Sequence, residues 1–321
     1  MSRRGRVGLA GAFVVACVVD SAYVPVFAQS TREPQKAAGA RSSRRTADGH
    51  PDLSGVWSFA SGIPLQRPEK FGDKGELSEE EAAEIERRAA RQSSAERKPP
   101  PGDTGSYNLF WTDAGAKRND RRTSLISDPP DGKLPPVTPE TGKRMRVLMT
   151  AESNPSTPED LTPWGRCITG FNAGPPILPS GYNNNLVVLQ NRDTVVLFTE
   201  MVHEARFVPL DGRPHLPSCV RQWQGDSRGR WEGNTRIVDS TNFNGKAWFD
   251  WLTFHSDALH VVERFTIVDQ DTINYEAMIE DPKVFTKPWK VAFPFRRGQP
   301  GYRLFEYACH EGNHFMRNVT R

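Results

Sequence analysis

The sequence predicts a mainly β protein, an antiparallel meander closed into a barrel, with an irregular and partly helical N-terminal region wrapped around it. Three observations carry this expectation. From about Leu186 the chain falls into short runs rich in Val, Ile, Phe, Tyr and Thr, spaced by turn residues as in an all-β domain. Arg192-Asp193, Gly233-Asn234 and Asp269-Gln-Asp271 lie where tight hairpin links are needed. A meander of hairpins leaves two raw edges, and closure removes them. An open, strongly bent sheet crossed by the first half is the competing arrangement.

The runs expected as strands are 186–191, 194–201, 205–210, 219–224, 229–232, 235–242, 259–268, 271–280, 287–296 and 302–309. Ahead of them, Pro51-Asp-Leu-Ser-Gly-Val-Trp-Ser-Phe59 gives one short apolar run. Ser78-Glu-Glu-Glu81 is a capping box leading into a charged helix over 82–91 with little apolar face. After the proline-rich stretch 129–139, Thr138-Pro139 sit as N-cap and first residue of another short helix. The chain thus divides into 1–28, a signal peptide; 29–50, a disordered linker; 51–160, the wrapping region with one strand; and 161–321, the barrel.

The signal peptide reads from Met1-Ser-Arg-Arg-Gly-Arg6, the apolar run 7–19 and the small-residue cleavage site Val26-Phe-Ala28. It places the mature protein in the periplasm or outside the cell. No later stretch is long and apolar enough for a membrane span. Val14-Val-Ala-Cys17 loosely resembles a lipoprotein box, which leaves a lipid anchor at Cys17 as a variant, and Arg3-Arg4 a twin-arginine signal. Three cysteines follow the cleavage site, Cys167, Cys219 and Cys309, so one disulfide and one free thiol is the simplest count. Spacing does not fix the pairing; a Cys167–Cys309 bridge would staple the C-terminal run to the start of the second half. A net charge of +3 with arginines dispersed along the chain gives no basic stripe for nucleic acid.

His310, Glu311 and His314 spell H-E-x-x-H, which holds zinc when both imidazoles lie on one helix face. Gly312 and Asn313 stand inside the required turn, and no third ligand follows, so a zinc hydrolase is the least favoured reading. Gathering His203, His215, His310 and His314 from separate loops is a further metal arrangement that spacing neither supports nor excludes. No nucleotide loop or nucleophile elbow is present, and no cofactor is predicted.

Two glutamates interrupt apolar alternation instead. Leu259, Val261, Glu263, Phe265 and Ile267 share one face, as do Val196, Phe198, Glu200 and Val202. Facing a barrel interior, such carboxylates either shift their pKa and serve as general bases or pair with an arginine such as Arg206. His203 is close in sequence, but on an extended strand it points away from Glu200. Tyr182, Asn184, Trp223 and Trp231, with His310 and Glu311, are the candidate ligand contacts, since ligand sites combine aromatic walls with few polar groups. Core packing is the ordinary use of such tryptophans, and a backbone-bonded turn that of Tyr182-Asn-Asn-Asn185.

Pro51-Asp-Leu-Ser-Gly-Val-Trp57, Arg122-Thr-Ser-Leu-Ile-Ser-Asp-Pro-Pro-Asp-Gly132, Tyr182-Asn-Asn-Asn185, Asp211-Gly-Arg-Pro-His215, Gly225-Asp-Ser-Arg-Gly-Arg-Trp-Glu-Gly233 and Tyr307-Ala-Cys-His-Glu-Gly-Asn313 together resemble a large family of secreted bacterial proteins of unknown function. The resemblance spans nearly all of the chain after the linker and implies export and a shared architecture. It carries no catalytic assignment, and the family has an aromatic residue where His314 stands. Gly55-Val-Trp57 also resembles the opening of lipocalin-like barrels. The function expected is binding of a small organic molecule in the barrel. The alternative is a cofactor-free isomerase, lyase or hydrolase using Glu200 or Glu263 as base and Arg206 for charge stabilisation.

Overall fold

The computed structural model describes residues 44–94, 112–113, 116–118, 120–249 and 253–313, with backbone alone at 92–94. The signal-peptide and lipid-anchor expectations, most of the linker, Trp251 and His314 lie outside the described residues.

Alternation of apolar and polar side chains builds the second half. In chain order its strands are β3 (Asn185–Gln190), β4 (Thr194–Thr199), β5 (Ala205–Pro209), β6 (Asp226–Glu232), β7 (Thr235–Thr241), β8 (His260–Asp269), β9 (Thr272–Glu280) and β10 (Trp289–Arg297). The first half supplies β1 (Gly55–Ser58), the helix α1 (Glu79–Ser94), β2 (Ile126–Asp128) and the helix α2 (Pro139–Ser153). Ser78 Oγ accepts the Glu81 N–H at 3.2 Å while Glu81 Oε2 accepts the Ser78 N–H at 2.7 Å, so the expected capping box starts α1. Thr138 Oγ1 caps α2 by accepting the Thr141 N–H at 3.3 Å.

All pairings are antiparallel, in the order β5-β4-β3-β1-β10-β9-β8-β7-β6, with β2 also on β10. Two meanders, β3–β5 and β6–β10, are therefore joined through β1, a strand of the wrapping region. The sheet curls until its outer strands β5 and β6 face one another, giving a nearly closed barrel. Gly229 of β6 makes that approach possible: a Cβ there would lie 2.8 Å from Val208 and 2.5 Å from Leu210.

Two expected strands are absent. Residues 219–224 make only an isolated bridge from Gln222 to Phe243, because this stretch has no face to bury: Val220 is 44% exposed. The run 302–309 is an unpaired strap, with Phe305 69% exposed. It is held by side chains and by the Cys167–Cys309 disulfide rather than by a ladder. Residues 44–50, within the expected linker, are structured. Arg45 bridges to Pro51 and donates to Asn234 at 3.1 Å, while His50 stacks on Trp231 at 4.8 Å, contacts that the linker's polar composition did not reveal.

Along β8, Val261, Glu263, Phe265 and Ile267 all turn inward, as alternation predicts. The interior is filled by Trp57, Phe59, Phe265, Tyr275, Phe293 and Phe295, with Tyr275 and Phe295 stacked at 4.8 Å. Burying each such ring contributes about 1.5–3 kcal/mol. The cavities described below therefore lie at the barrel's two ends. The strap end carries the β4–β5 turn, the β7–β8 connection and the C-terminal strap; the hairpin end carries residues 44–51 and the β6–β7 turn.

Candidate functional site

The strap end gathers most of the expected site residues, but not as one cluster. Register puts Val195, Leu197 and Thr199 on the inward face of β4, opposite Val208 of β5. The face read from the sequence, Val196 and Phe198 with Glu200, is thus the outer one. Glu200 is nevertheless buried, because the chain leaves the strand there and turns, with Val202 and His203 at positive φ (59° and 52°). Its carboxylate accepts from Asn183 Nδ2 (3.1 Å), Asn185 Nδ2 (2.9 Å) and the Tyr302 hydroxyl (2.8 Å). Burial, and then the neighbouring Glu200 carboxylate, push the Tyr302 phenol up. Three donors engage both oxygens of Glu200, which acts as a clasp between the barrel and the strap.

His203 stacks on Phe198 and accepts the Tyr307 N–H at 2.9 Å, so it too holds the strap and does not meet Glu200's carboxylate. Asn184 is fully buried: its Nδ2 donates to Asp113 (2.6 Å) and to the Ser180 carbonyl (2.8 Å), and its Oδ1 accepts the Ser180 N–H (2.7 Å). That is the backbone-bonded turn. Cys309 to Gly312 form an exposed turn with Gly312 at φ 68°, so the helix that H-E-x-x-H requires is not formed over these residues. His310 and Glu311 are exposed, and neither lines the cavities described below. Among the described residues no group of three or more His, Cys, Asp or Glu is placed to hold a metal.

Deeper in the barrel, Arg206 and Glu263 form a forked ion pair at 2.5 and 3.0 Å, the two side chains 4% and 0% exposed. The Tyr275 hydroxyl donates to Glu263 Oε1 at 2.9 Å and accepts the Ile177 N–H at 2.8 Å. Burial first, then Glu263, raise the Tyr275 phenol well above its usual value. Both carboxylate oxygens of Glu263 are committed, which favours the structural over the catalytic use of this pair.

The cleft lies at the strap end. A cavity of about 340 Å³ opens between α2, the turn Pro158–Asp160 and the β7–β8 connection, walled by Trp223, Trp248 and Phe254. Arg144 sits 4.3 Å over Phe254 and Arg166 5.9 Å over Trp223. Edge-on ring contacts run from Phe254 through Trp248, Trp164 and Phe171 to Tyr182. Tyr182 thus belongs to one aromatic array with Trp248 and Phe254, which share the cavity wall with Trp223, while Trp231 lies at the opposite end. A second cavity of about 490 Å³ shares Arg144, Gly245, Lys246 and Phe254 with the first. On the other side, a small cavity of about 20 Å³ is lined by Trp223, Trp248, Thr169, Gly170 and His255. His255 is 3% exposed and its Nδ1 donates to the Ser256 carbonyl (3.0 Å), so burial holds it neutral with Nε2 unprotonated.

Sequence reading missed Glu204, which sits behind Thr169 and Gly170. Its Oε2 accepts the Thr169 hydroxyl (2.5 Å) and the Gly170 N–H (3.2 Å). Burial raises its pKa from 4.5 to about 7 against the opposing pull of these bonds, Arg206 and Gln224. The available signal was its position two residues before Arg206, on that residue's inward face.

Also missed was a cluster on the outer wall. His215 Nδ1 lies 2.9 Å from Asp226 Oδ2 and its Nε2 3.1 Å from Asp239 Oδ1; His260 Nε2 shares Asp239 Oδ1 at 3.1 Å. Carboxylates only accept, so both nitrogens of His215 are donors and the ring is an imidazolium. The Asp239 bonds raise both histidines above 6.5.

Stability should therefore fall as pH rises. Between 4.5 and about 7, folded Glu204 keeps a proton that the unfolded chain has released. The contributions of His215 and His260 are whole below 6.5 and are lost as pH passes their raised folded values. In urea unfolding across that range, Glu204→Gln should remove the lower part of the slope and leave the upper. An equal slope in both proteins contradicts the placement of Glu204.

Comparison with family models, with curated proteins and with solved structures found no match, so the geometry of this cleft, rather than a relative, carries the functional reading.

Proposed function

We propose that this is an exported protein that binds a small organic molecule in the strap-end cleft, between Trp223, Trp248 and Phe254. The observation that carries it is the contrast between a ring-filled barrel interior and an end cavity of about 340 Å³ with three aromatic walls and two arginines at their faces. That volume falls in the range of small-molecule sites, and aromatic walls with sparse polar groups are their usual lining. Export is supported by the basic and apolar N-terminus and by the disulfide.

Native mass spectrometry of the mature protein recovered from its export compartment tests this. An organic mass should be retained by the wild type. It should be lost or weakened at least about tenfold in Trp223→Ala/Trp248→Ala, since each ring contributes on the order of 1 kcal/mol or more. Trp223 and Trp248 are only partly buried, with Trp248 packed on the rim of the core rather than within it, so folding should survive. Retention of the same mass by the double variant would sink the reading.

Glu204 favours a second reading. A carboxyl of near-neutral pKa, bonded to Thr169 and Gly170 of the small inner cavity, suits a general acid or base, as in a cofactor-free isomerase, lyase or hydrolase. Glu204→Gln would then keep ligand binding and lose turnover.

A further inference from the structure

The strap-end cleft carries more positive charge than its own acids answer. Arg144, Arg166 and Lys246 all line the cavity of about 340 Å³, and none of them forms an ion pair among the described residues. Arg166 is the least satisfied. Its guanidinium lies 5.9 Å from the Trp223 ring and makes no hydrogen bond to a described residue, and its Nε is buried without an acceptor. Arg144 stands 4.3 Å over Phe254 and spends one nitrogen, Nη2, on the Gly245 carbonyl at 2.9 Å. Lys246 is exposed, and only its backbone N–H is bonded, to Asn244 Oδ1.

Two acids share the lining, Glu159 and Asp160. Asp160 is committed to its own turn: its Oδ2 accepts the N–H groups of Ser156 (2.9 Å) and Thr157 (2.8 Å) and the Ser156 hydroxyl (2.9 Å). Those backbone bonds hold its carboxyl below the usual range, so it stays ionised without a cation beside it. Glu159 is exposed and pairs with none of the three cations. An arginine lying on a ring keeps the N–H donors in its own plane free, and those donors match a carboxylate with two parallel bonds. The hairpin-end cavity of about 300 Å³ lacks this combination. There Arg44 and Arg297 are balanced by Asp52 and Asp271, and no aromatic ring lines it.

We propose that the molecule held in the strap-end cleft is an aromatic carboxylate, its ring among Trp223, Trp248 and Phe254 and its charge answered by Arg166, with Arg144 and Lys246 adding to the positive field. This names the ligand class of the cleft and rests on the reading of that cleft as a binding site.

Calorimetric titration of the full chain with matched pairs, benzoate against benzamide and 2-naphthoate against 2-naphthamide, tests it, because the members of each pair differ in charge and hardly in shape. At neutral pH and low salt, at least one carboxylate should bind about tenfold tighter than its amide or more, as hydrogen bonds to a charged group outweigh neutral ones. Added sodium chloride should narrow that ratio. Arg166→Gln should reduce it to within about threefold. Arg144→Gln, on the exposed side of α2, should also lower it and serves if Arg166→Gln does not fold. Trp223→Ala/Trp248→Ala should weaken both members of the pair. Equal binding of carboxylate and amide, or a ratio unchanged by the arginine substitutions, overturns the carboxylate assignment and leaves the cleft a binding site. Binding of neither member of either pair, or binding unaffected by the tryptophan substitutions, overturns both.

Discussion

Glu263→Gln will destabilise the barrel by about 3–5 kcal/mol, and Arg206→Met by a similar amount, because each leaves one buried partner without its complement. The forked pair sits 4% and 0% exposed, with no water-facing side to relax toward. Glutamine keeps the shape and can still meet Tyr275, yet it leaves the Arg206 guanidinium as an uncompensated charge whose Nε already lacks an acceptor. Methionine at Arg206 instead strands a carboxylate among Tyr275, Phe265 and Val261. The double variant should cost less than the sum, by at least about 1 kcal/mol, since it removes both charges together. Equilibrium denaturation of the four proteins measures this coupling. If Glu263→Gln were as stable as wild type and inactive against a substrate, Glu263 would be a catalytic base and the structural assignment would fail.

Opening the Cys167–Cys309 bridge is expected to have the other large effect. The bond links residues 142 apart, and a loop of that length is worth roughly 5 kcal/mol in the chain-entropy picture. It also fixes the strap locally. Tyr302 donates to Glu200, Tyr307 to His203, and Asn313 Nδ2 to the Gly165 carbonyl at 3.3 Å, all contacts that bind the C-terminal strap to the β4–β5 turn and to the 163–171 segment. That segment bears Arg166, Thr169 and Gly170 of the cleft and its inner cavity. Cys167→Ser/Cys309→Ser should therefore lower the denaturation midpoint strongly and weaken ligand retention together. Cys219→Ser, at the exposed cysteine outside the disulfide, should change neither. A serine double variant as stable as wild type would show that side-chain contacts alone hold the strap.

Much of the barrel was legible because alternation is a strong signal where one face is buried. Leu259 to Ile267 gave both β8 and the buried carboxylate, and the pairing partner Arg206 was among the arginines considered. The same logic failed on β4. There every residue from Val195 to Phe198 is apolar, so alternation could not say which set faced inward, and the turn at Glu200 to Glu204 reset the pattern. Run-based reading also took 219–224 and 302–309 for strands, although β propensity without a face to bury does not make a ladder. The insertion of β1 between β3 and β10 depends on contacts more than a hundred residues apart and leaves no local trace. Glu204 and the His215 cluster were missed for one reason: what marks each is its burial or its partner across strands, not its neighbours in the chain.

The most direct measurement of the central claim is fluorine NMR of the protein labelled with 5-fluorotryptophan, its resonances assigned through single Trp→Phe variants, during titration with a panel of fragment-sized aromatic compounds. The strap-end cleft predicts saturable shifts at Trp223 and Trp248 while the core residues Trp57 and Trp289, both at most 1% exposed, stay unmoved. Saturable shifts confined to Trp57 and Trp289 would place the ligand inside the barrel, and the cleft would then have no part in binding.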